Sequence, residues 1–332
     1  MTCEERISAF IQLGDKLTHF NLEELTEIGF RAAQENAWFI PANTHRSVEG
    51  IAKMLEKDKL DKWLSAYSLE CEVPKIVGVV MAGNIPLVGF HDLMCVLLSG
   101  NFAAVKTSSQ DTFLVKWIIN LILEIEPRFK KSVEIRERLT NIDAVIATGS
   151  DNTARYFEYY FKDIPHIIRK NRSSIAVLSG NETAEELKNL GKDIFWYFGL
   201  GCRNVSKVLV PKDYKADFFF ESIQEFEEVG NHHKYRNNYD YNKSIYLVNR
   251  EPHLDNGFLL WRESDTLVSP ISVLFAQQYD DQSEIDRYIA TNKEKIQCIV
   301  GKDYITFGKA QLPDPWDYAD NVDTLTFLDG LN

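Results

Sequence analysis

A cysteine lies on a glycine-flanked bend in the segment FGLGCRNVSKVLVP, residues 198–211. Gly199 and Gly201 precede Cys202, and a run rich in β-branched residues follows it. Glycine permits a sharp bend and leaves the neighbouring backbone N–H accessible. Two interpretations stay open: Cys202 is a small buried hydrophobe at the start of a strand, or it is a nucleophile held within reach of a substrate. In the second role its thiolate would form covalent acyl intermediates.

An asparagine and a lysine each follow a short apolar run. Asn84 follows KIVGVVMAG (75–83), and Lys106 ends FAAVK just before Ser108 and Ser109. Taken alone, Asn84 is either a turn residue or a side-chain amide that donates to an oxyanion. Lys106 is either the first solvated residue after a strand or, with the hydroxyls beside it, a ligand for a phosphate or a ribose.

A glycine and a serine, Gly149 and Ser150, separate the apolar run IDAVIAT from the helical pattern DNTARYFEYYF. Serine is a good N-cap because its hydroxyl accepts a hydrogen bond from a backbone N–H of the first turn. The remaining N–H groups at such a helix start attract pyrophosphate. A plain cap without a ligand is the equally open alternative.

The elements that must position these residues alternate between short apolar runs and helical patterns. Residues 1–65 predict helices, and strands and helices then alternate up to the helix predicted over 182–197. This alternation is typical of a parallel sheet with right-handed crossovers, here a Rossmann-like domain without the GxGxxG signature. A smaller α/β domain follows Cys202, in which 231–243 reads as a polar loop and SIYLVN (244–249) as a strand.

We therefore expect an α/β protein in four segments. They are N-terminal helices over 1–65, a dinucleotide-binding domain over 66–198, a catalytic cysteine domain over 199–303, and a C-terminal tail over 304–332. The tail is expected to return to the cofactor domain or to form an oligomer interface.

Charge and composition exclude several classes of protein. Of the 332 residues, 37 are Lys or Arg and 49 are Asp or Glu, a formal net charge of −12 that disfavours nucleic acid or an anionic membrane as the main partner. No apolar run approaches the ~20 residues of a membrane span, and the acidic start MTCEERISAF is not expected to be a signal peptide. The five scattered cysteines form no CxxC pair, so we expect no metal site and a reduced, cytoplasmic protein.

Four segments, in this order, resemble the aldehyde dehydrogenase superfamily. Its motifs are a PWN-like turn with a catalytic asparagine, a GN…LKPSE strand end, FTGS before a helix, and GQxC…R with the nucleophile. The resemblance covers about residues 75–292. The tail KAQLPDPWDYADNVDTLTFL resembles the end of the bioluminescence-type fatty acid reductases. The matching residues are Asn84; Gly100, Asn101, Lys106 and Ser108; Thr148, Gly149 and Ser150; and Gly199, Cys202 and Lys207.

The resemblance implies an aldehyde-dehydrogenase-like fold and specific roles. Cys202 would be the nucleophile, and Asn84 would donate to the oxyanion. Lys106, Ser108, Ser109, Gly149 and Ser150 would bind the cofactor. His232 and His233 are candidates for proton transfer to a leaving thiol, with His233 as our choice; polar surface residues are the alternative.

Three departures from the superfamily bear on the expected chemistry. The glutamate that activates water in hydrolytic members falls near Ile168, and no carboxylate lies between His166 and Leu178. Without that base an acyl enzyme resists hydrolysis, which favours thioester chemistry. Ser109 replaces a glutamate that would repel a 2′-phosphate, which favours NADPH. Thr266 replaces the glutamate that holds the nicotinamide ribose.

The sequence thus predicts an NADPH-dependent reductase of acyl thioesters that forms aldehydes. Alternatives are a CoA-acylating aldehyde dehydrogenase for short chains and a non-catalytic subunit that binds acylated partners. Expected partners are acyl-CoA or acyl carrier protein, an acyl-transferring enzyme, and further copies of the chain.

Overall fold

The computed structural model describes residues 1–331, which fold as an α/β protein in two compact units. The first contains Met1–Asn171 together with the C-terminal segment from Pro313 onward, and the second is Arg172–Leu312. The boundary lies earlier than the expected 198/199. The reason is the strand at Ser173–Val177, which pairs with strands of the second sheet rather than continuing the first.

Twelve α-helices are described. They are α1 (Cys3–Thr18), α2 (Leu22–Glu35), α3 (Pro41–Met54), α4 (Lys57–Leu64), α5 (Phe90–Leu98), α6 (Thr112–Ile125), α7 (Asp151–Tyr160), α8 (Ala184–Phe195), α9 (Asp217–Ser222), α10 (His233–Asn249), α11 (Gln282–Asn292) and α12 (Thr324–Asp329).

Eleven strands form two sheets, one in each unit. The first sheet has the order β3-β2-β1-β4-β5 and the second β11-β6-β7-β10-β9-β8. All pairs are parallel except β8 with β9. The strands are β1 (Ile76–Val80), β2 (Phe102–Lys106), β3 (Val133–Ile135), β4 (Ala144–Thr148), β5 (His166–Arg169), β6 (Ser173–Val177), β7 (Val205–Pro211), β8 (Leu254–Asp255), β9 (Leu260–Glu263), β10 (Val273–Tyr279) and β11 (Ile296–Val300).

The central strands of the first sheet are buried on both faces. Val77 and Val79 of β1 and Val105 of β2 are at most 1% exposed. This burial explains the continuous apolar runs, because helices cover both faces of a parallel sheet. The α/β prediction is confirmed, and the topology of the first sheet changes direction between β1 and β4.

The segment 231–249 was predicted wrongly as a polar loop followed by a strand. From His233 to Asn249 the chain folds as the 17-residue helix α10, whose buried side chains recur at helical spacing: Tyr235, Tyr239, Asn242 and Tyr246. Tyrosine and asparagine form this face in place of aliphatic residues, so the helical pattern was hidden by a polar composition.

Candidate functional site

The first unit brings its six predicted site residues to one edge of its sheet. In the strand register, Val80 of β1 pairs with Lys106 of β2 on one side and with Ala147 of β4 on the other. The three strands therefore end level with one another, at the carboxyl edge where α/β sheets bind ligands. The residues gathered there are Asn84, Lys106, Ser108, Ser109, Gly149 and Ser150.

Lys106 is exposed at the end of β2, and its ammonium donates a hydrogen bond to the Glu137 carbonyl at 2.6 Å. Ser109 is also exposed, whereas Ser108 packs closely against the segment that follows β1. A Cβ on Gly83 would lie 2.6 Å from Ser108 Oγ, so only glycine allows this approach. The loop after β2, which carries Ser108, therefore packs against the turn after β1, which carries Asn84.

Ser150 caps α7, which confirms the capping prediction. Its hydroxyl accepts from the Thr153 backbone N–H at 3.3 Å. The first turn also carries Asp151, whose carboxylate accepts from the Asn171 N–H at 3.2 Å. A carboxylate at this helix start opposes a bound anion. The lysine side of the edge is therefore the better electrostatic environment for a phosphate.

Asn84 is exposed on a turn that several buried groups hold in place. Asn36 Nδ2 donates to the Gly83 carbonyl at 2.9 Å, and Ser47 Oγ donates to the Pro86 carbonyl at 2.7 Å. The turn continues to Gly89, and α5 begins only at Phe90.

The same turn is tied to Asp111, which the sequence analysis did not single out. The Leu87 N–H donates to Asp111 Oδ2 at 2.8 Å, and Leu87 itself has a φ of 57°. Burial raises the pKa of this carboxyl to about 8. Within residues 1–331 the second oxygen, Oδ1, has no hydrogen-bond partner, which also favours the protonated acid.

Cys202 lies in the second unit, half-buried, on the bend expected from its glycines. Gly199 and Gly201 have φ values of 77° and 96°, and Tyr197 and Phe198 just before them also have positive φ. The bend ends where the Asn204 N–H donates to the Gly201 carbonyl at 3.3 Å, directly before β7. The prediction of a glycine-dependent bend into a strand is confirmed.

The histidine pair is connected to this bend through an aromatic contact. The ring centroids of His232 and Phe198 are 4.3 Å apart, and those of His232 and His233 are 5.0 Å apart. His232 is half-buried and caps α10, whereas His233 is exposed as the first residue of the helix. His232, rather than His233, is the histidine in contact with the cysteine segment.

Lys207, the basic residue that follows the cysteine, is buried inside the second sheet. Its ammonium donates to the Ser264 and Thr266 carbonyls and to Gln277 Oε1, at 2.7, 3.3 and 2.7 Å. Burial lowers the pKa of this lysine to about 8. Lys207 therefore fixes the loop that carries Thr266.

Neither a metal-binding cluster nor a membrane-spanning helix is found among the described residues. Residues 1–331 contain no group of three or more His, Cys, Asp or Glu side chains placed to hold a metal ion. Among the helices that the structure describes, none combines the length and the hydropathy of a membrane span.

A family model described as "Acyl-CoA reductase (LuxC)" matches residues 38–228. The chain is 23% identical over 184 residues to "Long-chain acyl-protein thioester reductase 2" of Photobacterium leiognathi, covering 49% of this chain and 38% of that one. It is 25% identical over 169 residues to "Long-chain acyl-protein thioester reductase" of Aliivibrio fischeri, covering 45% and 35%. The matches thus span less than two fifths of the length of these curated relatives.

Solved aldehyde dehydrogenases share the fold. KauB from Pseudomonas aeruginosa superposes with a TM-score of 0.65 at 13% identity, over 90% of this chain and 72% of its own. An NADP-dependent glyceraldehyde-3-phosphate dehydrogenase from Bacillus halodurans, complexed with NADP, gives 0.61 at 13% identity, over 90% and 74%. The predicted aldehyde-dehydrogenase-like fold is therefore confirmed.

Proposed function

The chain belongs to the LuxC family of acyl-CoA reductases, and from that premise we propose that it reduces an acyl thioester to an aldehyde through an acyl group held on Cys202. One observation carries the proposal: a half-buried cysteine on a bend of positive-φ glycines, directly before a central strand. The names of the curated relatives, both thioester reductases, support the same reaction.

The proposed reaction forms and breaks one sulfur–carbon bond on the protein. The Cys202 thiolate attacks the thioester carbonyl, and the carrier thiol leaves as the acyl enzyme forms. The Cys202 N–H and the Asn84 side-chain amide are the proposed donors to the oxyanion. When bound, NADPH supplies a hydride to the acyl carbon. Collapse of the thiohemiacetal alkoxide on Cys202 would break the carbon–sulfur bond, release the aldehyde and return the thiolate.

The acyl enzyme is expected to resist hydrolysis because the chain lacks a suitably placed carboxylate. The position at which hydrolytic aldehyde dehydrogenases carry a glutamate falls near Ile168 on β5, and no Asp or Glu lies between His166 and Leu178. Water entering the site would therefore find no general base in this segment. We propose His233 for proton transfer to the leaving thiol, with His232 as the residue that joins it to the cysteine bend.

The edge of the first sheet fits NADPH. Lys106 is an exposed cation at the end of β2, and the neighbouring Ser109 is exposed and uncharged. Gly83 allows the backbone to approach Ser108 at a distance that a Cβ would not permit, and a Cβ on Gly149 would lie a tight 3.0 Å from Thr153 Cβ. The residues that would hold the cofactor are Lys106, Ser108, Ser109, Gly149 and Ser150. The same proposal includes acyl-CoA or acyl carrier protein as the acyl donor and an acyltransferase as a partner. It also includes self-association of the chain and a cytoplasmic location.

The test follows NADPH absorbance with acyl-CoAs of increasing chain length and identifies the product. We expect NADPH consumption with aldehyde formation, and loss of at least about a thousandfold in kcat for Cys202→Ser. Cys71→Ser is the matched control, because Cys71 is equally half-buried but lies in the first unit. Undiminished turnover by Cys202→Ser, or release of free fatty acid by the wild type, would overturn the proposal.

A further inference from the structure

Ser174 is a fully buried hydroxyl beside the cysteine bend, and no step of the proposed reaction uses it. It lies on β6, the strand between β7 and β11 in the second sheet. Its Oγ lies 3.0 Å from the Cys202 carbonyl oxygen, 3.0 Å from Cys298 Sγ and 3.2 Å from the Cys298 backbone nitrogen. One hydroxyl thus connects the strand β11 with the cysteine bend.

The direction of each hydrogen bond follows from the partners. A backbone carbonyl only accepts hydrogen bonds, so Ser174 must donate its single hydroxyl proton to the Cys202 carbonyl oxygen. A backbone N–H only donates, so the Cys298 N–H occupies one lone pair of Oγ. The Cys298 thiol then donates to the other lone pair. This assignment uses one proton and two lone pairs, the whole capacity of a serine hydroxyl.

We propose that Ser174 is a positioning residue that fixes the orientation of Cys202 for the reaction proposed above. Gly199 and Gly201 give the bend its shape but little rigidity, because glycine is conformationally permissive. The peptide group that follows Cys202 is planar, so a hydrogen bond to its carbonyl oxygen sets the orientation of the whole plane. Ser174 thereby supplies, from the C-terminal side of the cysteine, the restraint that the glycines do not.

The neighbouring residue offers a matched control. Ser173 is equally buried on the same strand, but its Oγ bonds Ser206 Oγ at 2.7 Å and the Asn204 carbonyl at 3.3 Å. Ser173→Ala therefore removes a buried hydroxyl without touching the Cys202 carbonyl. A general loss of packing or stability would affect both serine variants alike.

The experiment measures two properties of Ser174→Ala and Ser173→Ala. One is the rate of Cys202 alkylation by iodoacetamide against pH, quantified by mass spectrometry of the peptide that contains Cys202. The other is the pair kcat and KM with acyl-CoA and NADPH. For Ser174→Ala we expect kcat to fall about tenfold at nearly constant KM, with a shifted alkylation profile. Ser173→Ala should stay within about twofold of the wild type in both.

A second pair of variants tests the same role if Ser174→Ala does not fold. Threonine and valine have nearly the same shape, and only threonine keeps the hydroxyl, so Ser174→Thr should exceed Ser174→Val in kcat and match the wild-type alkylation profile. Equal behaviour within either pair would overturn the positioning role. Because alkylation needs no turnover, this outcome is distinct from failure of the proposed reaction, which Cys202→Ser tests.

Discussion

In the reaction proposed above, we expect the charges at the end of β2 to distinguish NADPH from NADH. Lys106 and Ser109 are both exposed there, three residues apart. A carboxylate in place of Ser109 would stand close to any phosphate that Lys106 attracts, and like charges at short range repel strongly. We therefore expect the cofactor preference to be a property of individual side chains rather than of the fold.

We expect Ser109→Glu to raise the KM for NADPH about tenfold and to leave the KM for NADH nearly unchanged, because only NADPH carries the 2′-phosphate. Steady-state kinetics with each cofactor measure this. Ser109→Gln is the control, since it has the size of glutamate without its charge. The prediction would be contradicted if Ser109→Glu raised the KM for both cofactors equally, or if Ser109→Gln raised the KM for NADPH as much as Ser109→Glu. Either result would show that the size of the side chain, rather than its charge, sets the cofactor preference.

Residue roles could be predicted from the sequence where a local pattern sets them. The Ser150 cap and the glycine bend before Cys202 depend on neighbours within a few positions, and both were predicted correctly. The roles of Asp111 and Ser174 depend on segments 24 and 28 residues away. Only the folded chain shows which distant groups meet these side chains, so local spacing gave no signal for either residue.

At the scale of elements, the turn after β1 depends on a carboxyl group at the start of α6. Asp111 accepts the Leu87 N–H, and it caps a turn in which Leu87 takes a left-handed conformation. Such a conformation costs a non-glycine residue free energy and persists only where its surroundings hold it. The turn that carries Asn84 thus rests on a buried acid whose pKa is raised to about 8 by burial.

That acid makes stability depend on pH. Burial raises the pKa of Asp111 from 3.8 to about 8, so the folded protein keeps a proton that the unfolded chain releases. Its contribution to stability is complete below about pH 4 and is lost as the pH rises towards about 8, by at most about 1.4 kcal/mol per pH unit. Asp111→Asn keeps an acceptor for Leu87 and does not ionise.

We therefore expect the free energy of unfolding of the wild type to fall, relative to Asp111→Asn, between about pH 5 and about pH 8. Urea unfolding at several pH values measures the difference. Asp111→Ala serves as the control: it leaves the Leu87 N–H without its acceptor and should be less stable throughout this range. Parallel pH curves for the wild type and Asp111→Asn would contradict the assigned protonation.

At the scale of the molecule, the chain returns to its first unit after completing the second. The segment from Pro313 onward packs Leu325 and Leu328 into the first core. Trp63 donates to Tyr318 Oη at 2.9 Å. This return could be anticipated only as one of two options, because the segment before α12 is largely irregular and the groups it contacts lie far earlier in the chain. Its anchoring groups are polar side chains supplied by much earlier elements.

Arg169 on β5 joins α5 to the returning segment of that unit. Its guanidinium is 2.7 Å from Asp92 Oδ1 in a buried ion pair and 2.9 Å from Thr324 Oγ1, and it donates to the Ala319 carbonyl. Removing the arginine would leave the Asp92 carboxylate buried without its cation, which typically costs about 3–5 kcal/mol. An exposed ion pair contributes at most about 1 kcal/mol, because water solvates both charges.

Arg169→Met should therefore lower the free energy of unfolding by about 3 kcal/mol or more and expose residues 313–331 to protease. Arg128→Met, which breaks only the exposed pairs with Glu126 and Glu5, should cost about 1 kcal/mol or less and leave the proteolysis pattern unchanged. Urea unfolding and limited proteolysis of the full chain compare the two. If both variants lost the same stability, or if the segment stayed protected in Arg169→Met, then the apolar contacts of Leu325 and Leu328, rather than the guanidinium, would be what holds the returning chain.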